Sequence, residues 1–439
     1  MHKLKLVSLF FLLGMCLQGY SQRITTSPYS RYSYGDMYVP SLNFSQMGGI
    51  GNGIRSSRQI NFVNPANHSA IQKETFLFEV GTGSTTRKIE QNGMSANMYN
   101  TGIEYFAFAF PVISEKWGMA IGMLPFNSVG YSINAADSLA KYNYFGSGGI
   151  NQLVMGNSFT LVKGLSVGFH ASYLFGTTRY TSTVSIPKET DSYNTRKYLE
   201  YKSGGLLWDF GLQYQYKLDD NKTLTFGATY RDKQTIGYDK TTFLGSYYAY
   251  ELTSNIKKNK RTKTTVYTAT TEIDTLDYTT VSDLRTDIPQ QISIGLGFEI
   301  QDKIRLGVDA GYQNWENIYV YKKTNKDLSK ENFVKAGIEF IPNKRSVNYI
   351  SRLPIRVGGH YNELPISYAF EGTQLHPAEY GVTLGTELFM KQNANTLNVS
   401  FDFGKRGDFT NSKSLIESYC IMKMQINLQE TWFFQRKID

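Results

Sequence analysis

The residues of this 439-residue chain able to do acid–base, nucleophilic or metal chemistry are five histidines, two cysteines and a scatter of carboxylates. Their spacing assembles none of these chemistries. His68, His170, His360 and His376 stand far apart, and no His-x-x-x-His pair places two imidazoles on one helical face. Cys16 and Cys420 are too few for a multi-cysteine metal site or a disulfide scaffold. No G-x-S-x-G elbow presents a nucleophilic serine. The chain therefore reads as a non-enzyme with no cofactor and no metal. GGIGNG at 48–53 has the glycine density of a phosphate loop, but that loop needs a strand before it and a helix after it. Arg55, Ser56, Ser57 and Arg58 follow with no helical face, so Gly48, Gly49, Gly51 and Gly53 read as tight backbone turns in a plug.

The remaining charges are ordered by the strands that carry them. Leu165, Val167, Phe169, Ala171 and Tyr173 alternate with Ser166, Gly168, His170 and Ser172. Ile292, Ile294, Leu296, Phe298 and Ile300 alternate with Gln291, Ser293, Gly295, Gly297 and Glu299. The same period of two runs through 208–216, 304–313, 397–403 and 420–429, which is the signature of strands with one apolar and one polar face. Asp209, Arg231, Glu299, Arg305, Asp309 and Arg356 fall on the polar faces, with Lys335, Glu339, His360, Glu387, Asp402 and Lys423. Facing carboxylates invite an acid–base reading, but barrel interiors are ordinarily polar and cross-linked by ion pairs. These residues are expected to form a lumen network.

The first residues are a targeting signal. His2, Lys3 and Lys5 precede an apolar run from Leu6 to Leu17, too short for a spanning helix of about 20 residues. Gly19 and Ser21 place a cut before Gln22, so 1–21 is expected to be a signal peptide. Cys16 leaves a lipoprotein alternative, with Met15 a poor residue before a lipidated cysteine. No later stretch is apolar enough for a helical span, and mean hydropathy is −0.35. An exported chain of this kind is a soluble protein or an outer-membrane barrel. Long alternating strands along nearly the whole mature chain, and aromatics at segment ends (Tyr312 and Trp315; Trp432, Phe433 and Phe434), favour the barrel and an interfacial girdle.

Tight turns are expected near 114–116, 163–164, 219–221, 301–303, 343–344 and 391–393, with longer loops near 84–100, 132–146, 181–204, 236–286, 317–330, 365–379 and 404–415. Short periplasmic turns and long outer loops then give 14 antiparallel strands beginning near Glu74. The non-alternating stretch 22–73, containing GGIGNG and Asn64-Pro65-Ala66, is read as a hatch or plug, and 74–439 as a transmembrane β-barrel. Pro125 lies in the third strand, where it donates no ladder bond. With Gly122 and Phe126 it marks either a bulge or early strand end, or a kink that opens the wall sideways. The run Lys257, Lys258, Lys260, Arg261, Lys263 in the longest loop is either a solvated face or a contact for lipopolysaccharide phosphates. Export removes nucleic acid from the partners.

Taken together, GGIGNG followed by Asn64-Pro65-Ala66, the segment 288–318 (Pro289, an alternating strand, a polar turn, Tyr312-Gln313-x-Trp315), the stretch 352–363 and the closing strand resemble the FadL/OmpP1/TodX family of long-chain fatty acid transporters over most of the mature chain. The resemblance implies an all-β, 14-stranded barrel plugged by its N-terminal segment, located in the outer membrane of a Gram-negative bacterium. It also implies passive uptake of hydrophobic, fatty-acid-like molecules that leave sideways through a gap at a kinked third strand. The inward faces depart from an apolar pocket, with few inward aromatics expected beyond Phe333 and Phe389, and with Phe106, Phe108 and Phe110 facing either way. The alternative is a non-transporting accessory or structural barrel, a subunit of an outer-membrane assembly or secretion complex. Expected partners are the lipid bilayer, lipopolysaccharide, a hydrophobic small molecule on the first reading and other outer-membrane proteins on the second.

Overall fold

The computed structural model describes residues 27–38, 44–186, 194–258, 261–316, 318–321, 323–324, 328–370, 372–390, 395–411 and 413–431, without the side chains of 248–273, 323, 324 and 370. The signal segment, the aromatic trio Trp432–Phe434 and the side chains of the Lys257–Lys263 run lie outside these described residues.

One antiparallel sheet closes on itself. Its first wall strands are β2 (Thr75–Gln91), β3 (Met94–Ile113), β4 (Trp117–Pro125), β5 (Asn127–Ala136), β6 (Lys141–Val162), β7 (Leu165–Ser185) and β8 (Asn194–Lys217). They continue as β9 (Lys222–Arg231), β10 (Gln234–Lys258), β11 (Arg261–Ile288), β12 (Gln290–Ile300) and β13 (Ile304–Asn314). The last are β16 (Glu331–Phe340), β17 (Ile355–Glu363), β20 (Ala378–Phe389), β21 (Thr396–Gly407) and β22 (Ile416–Thr431). Short pieces lie off the wall: β1 (Asp36–Met37) in the hatch, and β14 (Tyr319–Val320), β15 (Lys323–Thr324), β18 (Tyr368–Phe370) and β19 (Thr373–Leu375) in loops. Three wall strands are made of two segments each, namely β4 with β5, β9 with β10, and β11 with β12, so the wall is a 14-stranded barrel. The seam is closed by β22 on β2, in register from Thr75↔Thr431 to Glu90↔Ile416.

The period of two sorts the faces. Ile292, Ile294 and Leu296 on β12, Val308 on β13, Val334 on β16 and Val382 on β20 are exposed on the outside. Ser293, Asp309, Glu339, Arg356 and Thr383 are buried inside the cylinder. An apolar band outward and a polar lumen inward is the arrangement a bilayer requires. Among the described residues no helix is long and apolar enough to cross a membrane. Phe106, Phe108 and Phe110 belong to the outer row, with Phe108 and Phe110 stacked on Phe76.

Several expected loops are strand. The stretch 84–100 is the hairpin of β2 and β3 turning at Asn92-Gly93, both at positive φ. The segment 236–286 is almost wholly the β10–β11 ribbon. Its Thr- and Tyr-rich sequence has high β propensity, so polarity there marks solvated strand rather than loop. The turn expected at 343–344 is longer and carries one helical turn, Tyr349–Arg352, capped by the Asn348 side chain on Ile350 N.

Candidate functional site

The hatch is seated in the half of the bore next to the short turns, in a socket made by the absence of side chains. Lumen-facing glycines of the wall lie against hatch backbone so closely that a Cβ has no room. One on Gly168 would lie 2.6 Å from Pro65 C, on Gly297 2.1 Å from Gly53 O, on Gly337 2.4 Å from Met47 O, and on Gly358 2.2 Å from Gly48 N. The polar strand faces are rich in glycine for this reason.

Within that socket the GGIGNG segment is held by one carboxylate. Asp309, 2% exposed, accepts from Gly51 N at 2.7 Å and Asn52 N at 2.9 Å. Gly48 and Gly49 sit at φ +72° and +79°, which lets the chain turn and present Gly48 N to Thr383 Oγ1 at 2.8 Å. Asn64 caps the 3-10 turn Pro65–Ala70 by accepting from Ala66 N (3.0 Å), and its amide donates to Leu212 O of the wall at 3.1 Å. Ala66 O accepts from Arg55 Nη1 (2.9 Å) and Ser158 Oγ (2.7 Å). Burial pushes the Arg55 guanidinium down to about 10.

Eight of the twelve charges named from sequence fall into three groups. Arg231 pairs with Asp209 at 2.6 Å. Arg305 bridges Glu299 (3.1 Å) and Glu339 (3.3 Å), and Arg356 bridges Glu339 (2.5 Å) and Glu387 (2.6 Å), so these five form one chain of ion pairs. Arg356 also donates to Gln46 Oε1 of the hatch at 2.7 Å. Asp309 belongs to neither group: it bonds the hatch and stands opposite Lys335 across the β13–β16 ladder.

Other contacts had no sequence signal. His68 of the hatch meets His170 of β7 with the two Nε2 atoms 3.0 Å apart. Burial, with the charge on His170 second, holds the His68 imidazole well below its ordinary value. Among the described residues no group of three or more metal-capable side chains forms. Asp36 of β1 pairs with Arg406 (2.8 Å), which also holds Glu379 (2.8 Å). Arg87 and Ser27 both bond Glu417, at 2.5 and 2.7 Å, tying the start of the described chain to β2 and β22.

The half of the bore toward the long loops is filled differently from expectation. Trp315, expected at an interfacial girdle, is 1% exposed and points inward, its indole N–H donating to Glu331 Oε2 at 3.1 Å. A buried indole needs such a partner, and the lumen supplies it. Ile318, Val320, Tyr321 and Leu328 are buried in the cylinder with it. Tyr321 stacks on Tyr201 (4.2 Å between ring centroids) and meets Tyr34 of the hatch edge-on at 5.4 Å. Phe126, Leu174, Ile236 and Ile288 complete a closed apolar cluster. Inward aromatics are thus abundant beyond Phe333 and Phe389, and alternation missed them because they come from a loop, the hatch and the outer strand extensions.

The third wall strand is broken where Pro125 ends β4. Phe126 N still donates to Ile150 O of β6 (2.8 Å), but Phe126 O accepts from Tyr38 N of the hatch (3.0 Å). Beyond it β5 pairs with β6 and, at Asn127 and Ser128, with β1, and no longer with β3. The upper part of β3, Met94 to Tyr105, pairs on one side only. Gly122 makes room for Phe62 of the hatch, whose ring tip lies 2.7 Å from where a Cβ would be. A cavity of about 380 Å³ remains between hatch and aromatic cluster. It reaches Asn100, Pro125 and Ser128 at the break, and is lined by Arg231, Asp309, Lys335, Asp402, Arg406 and Lys423 among others.

The family model that matches this chain is that of BamG, over residues 1–439. No curated protein matches by sequence. Among solved structures, the monoaromatic hydrocarbon channel CymD aligns with a TM-score of 0.52 at 12% identity, covering 89% of this chain and 97% of its own. The P. putida toluene transporter TodX aligns with a TM-score of 0.54 at 13% identity, covering 92% and 99%. A Pseudomonas aeruginosa FadL homologue aligns with a TM-score of 0.50 at 11% identity, covering 94% and 100%. At these identities the likeness is one of fold: a plugged barrel of the outer-membrane type.

Proposed function

From a chain that belongs to the BamG family and whose bore is occupied by its own residues, we propose an accessory barrel that does not transport. It serves as a structural subunit of a larger assembly in the outer membrane of a Gram-negative bacterium, with the bilayer and lipopolysaccharide as its lipid surroundings. The observation that carries this reading is the filling of the lumen. The hatch is interlocked with wall glycines, the apolar space is taken by Tyr34, Trp315 and Tyr321, and the cavity left carries charged groups such as Arg231, Lys335 and Asp402 among its apolar lining. Pockets for greasy ligands are mostly apolar, with few polar groups, and an apolar guest here would desolvate charged side chains without replacing their partners.

The test is isolation from native membranes in mild detergent. A stable complex with partners in fixed ratio supports the proposal. A monodisperse monomer carrying a stoichiometric hydrophobic molecule, seen by lipid extraction and mass spectrometry, refutes it.

One observation favours a second reading, passive uptake of hydrophobic molecules with lateral exit. The wall is unpaired between β3 and β5, and the cavity reaches that break. On this reading, closing the break with a disulfide between the two strands abolishes uptake of a labelled fatty acid. Unchanged uptake, or none in the parent protein, removes it.

A further inference from the structure

We infer that the turn between β16 and β17, residues 341–354, is a binding site for an anionic phospholipid of the leaflet at the short-turn end of the barrel. The inference stands on either reading of the bore. The turns at 114–116, 163–164, 219–221 and 301–303 contain no apolar residue and at most one cation each. The stretch IPNKRSVNYISRLP at 341–354 differs from them in length, apolarity and charge. It contains Lys344, Arg345 and Arg352 and no carboxylate.

The turn is held in shape by its own hydrogen bonds. Asn343 N donates to Ser351 O at 2.8 Å and closes the neck. Arg345 N donates to Asn343 Oδ1 (3.1 Å), Asn348 N to Ser346 Oγ (3.1 Å) and Ile350 N to Asn348 Oδ1 (3.0 Å). Three more contacts tie it to the wall. Ile341 N donates to Lys303 O at 2.9 Å, the Lys344 ammonium pairs with Asp302, and Tyr349 OH donates to Phe389 O at 3.0 Å. These bonds leave its apolar residues in the open, with Val347 101% exposed and Ile350 74% exposed. Side chains held out by a fixed backbone stay in contact with water unless something covers them.

Lipid is what adjoins them. The chain leaves the wall after Phe340 and returns at Ile355, both exposed on the lipid face. Val347, Tyr349 and Ile350 continue that apolar exterior past the strand ends, at the depth where hydrocarbon gives way to headgroups.

The cations supply the headgroup contact. Lys344 is engaged by Asp302, and Arg345 is exposed. Arg352 is half-buried, its guanidinium 5.5 Å from the centre of the Tyr349 ring. Among the described residues no carboxylate or carbonyl accepts from Arg352, and its Nε is buried without a partner. Its counter-charge must therefore come from outside, through the Nη atoms. A guanidinium stacked on an aromatic ring keeps its donors free, and its planar fork matches a phosphate. Arg352 holds the phosphate, Arg345 adds a second positive charge, and Val347 and Ile350 take the start of an acyl chain.

The probe is phosphatidylglycerol added to the intact barrel in an uncharged detergent, with phosphatidylcholine of the same chains as comparison, read by native mass spectrometry as lipid retained per chain. Phosphatidylglycerol is retained about tenfold more tightly than phosphatidylcholine. Arg352→Gln removes that preference, and Val347→Ser/Ile350→Ser weakens retention of both lipids. Lys163→Gln, the same loss of charge at another turn, changes neither. All variants keep the heat-modifiable migration of the folded barrel. Equal retention of the two lipids, equal losses in Arg352→Gln and Lys163→Gln, or full competition by glycerol phosphate, which has the charge and no chains, overturns the inference. So does a native complex that loses a protein subunit in Arg352→Gln while lipid retention is unchanged, because the turn then docks a protein.

Discussion

Replacing Asp309 with alanine releases the hatch while leaving the wall intact. One oxygen of this carboxylate bonds the amides of Gly51 and Asn52 at 2.7 and 2.9 Å. Hydrogen bonds to a charged group contribute about 1.5–3 kcal/mol each. Removing the side chain also relieves the desolvation cost of a buried carboxylate, so the net loss is about 3 kcal/mol, equivalent to a more than hundredfold rise in the open population of the hatch loop. Asp309→Asn keeps an acceptor without the charge and costs roughly 1 kcal/mol. The assay is amide exchange of residues 48–53 in the folded barrel, with the β13–β16 ladder on either side of Asp309↔Lys335 as internal reference. Acceleration in the alanine variant, less in the asparagine variant, and none in the ladder is the expected pattern. Unchanged exchange at 48–53, or equal acceleration in both variants, refutes the claim that a charged anchor holds this segment.

Gly297→Ala places a Cβ 2.1 Å from Gly53 O and lowers both the yield of folded barrel and its melting temperature, whereas Gly237→Ala, with its nearest atom at 3.6 Å, leaves both unchanged in the same heat-modifiability assay. Glu339→Gln separates Arg305 from Arg356 in a buried chain of charges and costs about 3 kcal/mol, measured as the shift of the denaturant midpoint for refolding into detergent. His68 is held neutral in the docked hatch, because burial and then the charge on His170 depress its affinity for a proton. The undocked imidazole titrates near its ordinary value of 6.5, so docking is at full strength above that pH and weakens as pH falls below it. Exchange of the hatch amides should accelerate between pH 7.5 and 5, and His68→Gln should flatten the profile.

How much of this was legible depends on whether a feature is local. The period of two in β7, β12 and β13 gave both the strands and their lipid and lumen faces, because in a barrel each residue sees either hydrocarbon or lumen and the side chains alternate between them. Pro125 announced the end of β4 because it lacks a donor whatever surrounds it. Ion pairs were legible as a class and not as a list. That Arg305 shares Glu339 with Arg356, while Asp309 turns to the hatch, depends on strand registers no single sequence displays. Trp315 misled because an aromatic at a strand end suits an interface equally well, and its indole turns inward to acceptors on Glu331 and Gln313. His68 and His170 lie a hundred residues apart, and their meeting follows from where the hatch docks.

The glycines carry the strongest argument about what the bore is for. A lumen meant to pass cargo needs open volume or side chains that move. Here Gly168, Gly297, Gly337 and Gly358 give up side chains so that hatch backbone lies directly on strand backbone. Such contacts tolerate almost no displacement, since interiors packed at this density resist even one added methyl group. Sliding the hatch would break the Asp309 and Arg356 contacts together and strip the Asp309 carboxylate of its two backbone donors, while Arg356 keeps Glu339 and Glu387.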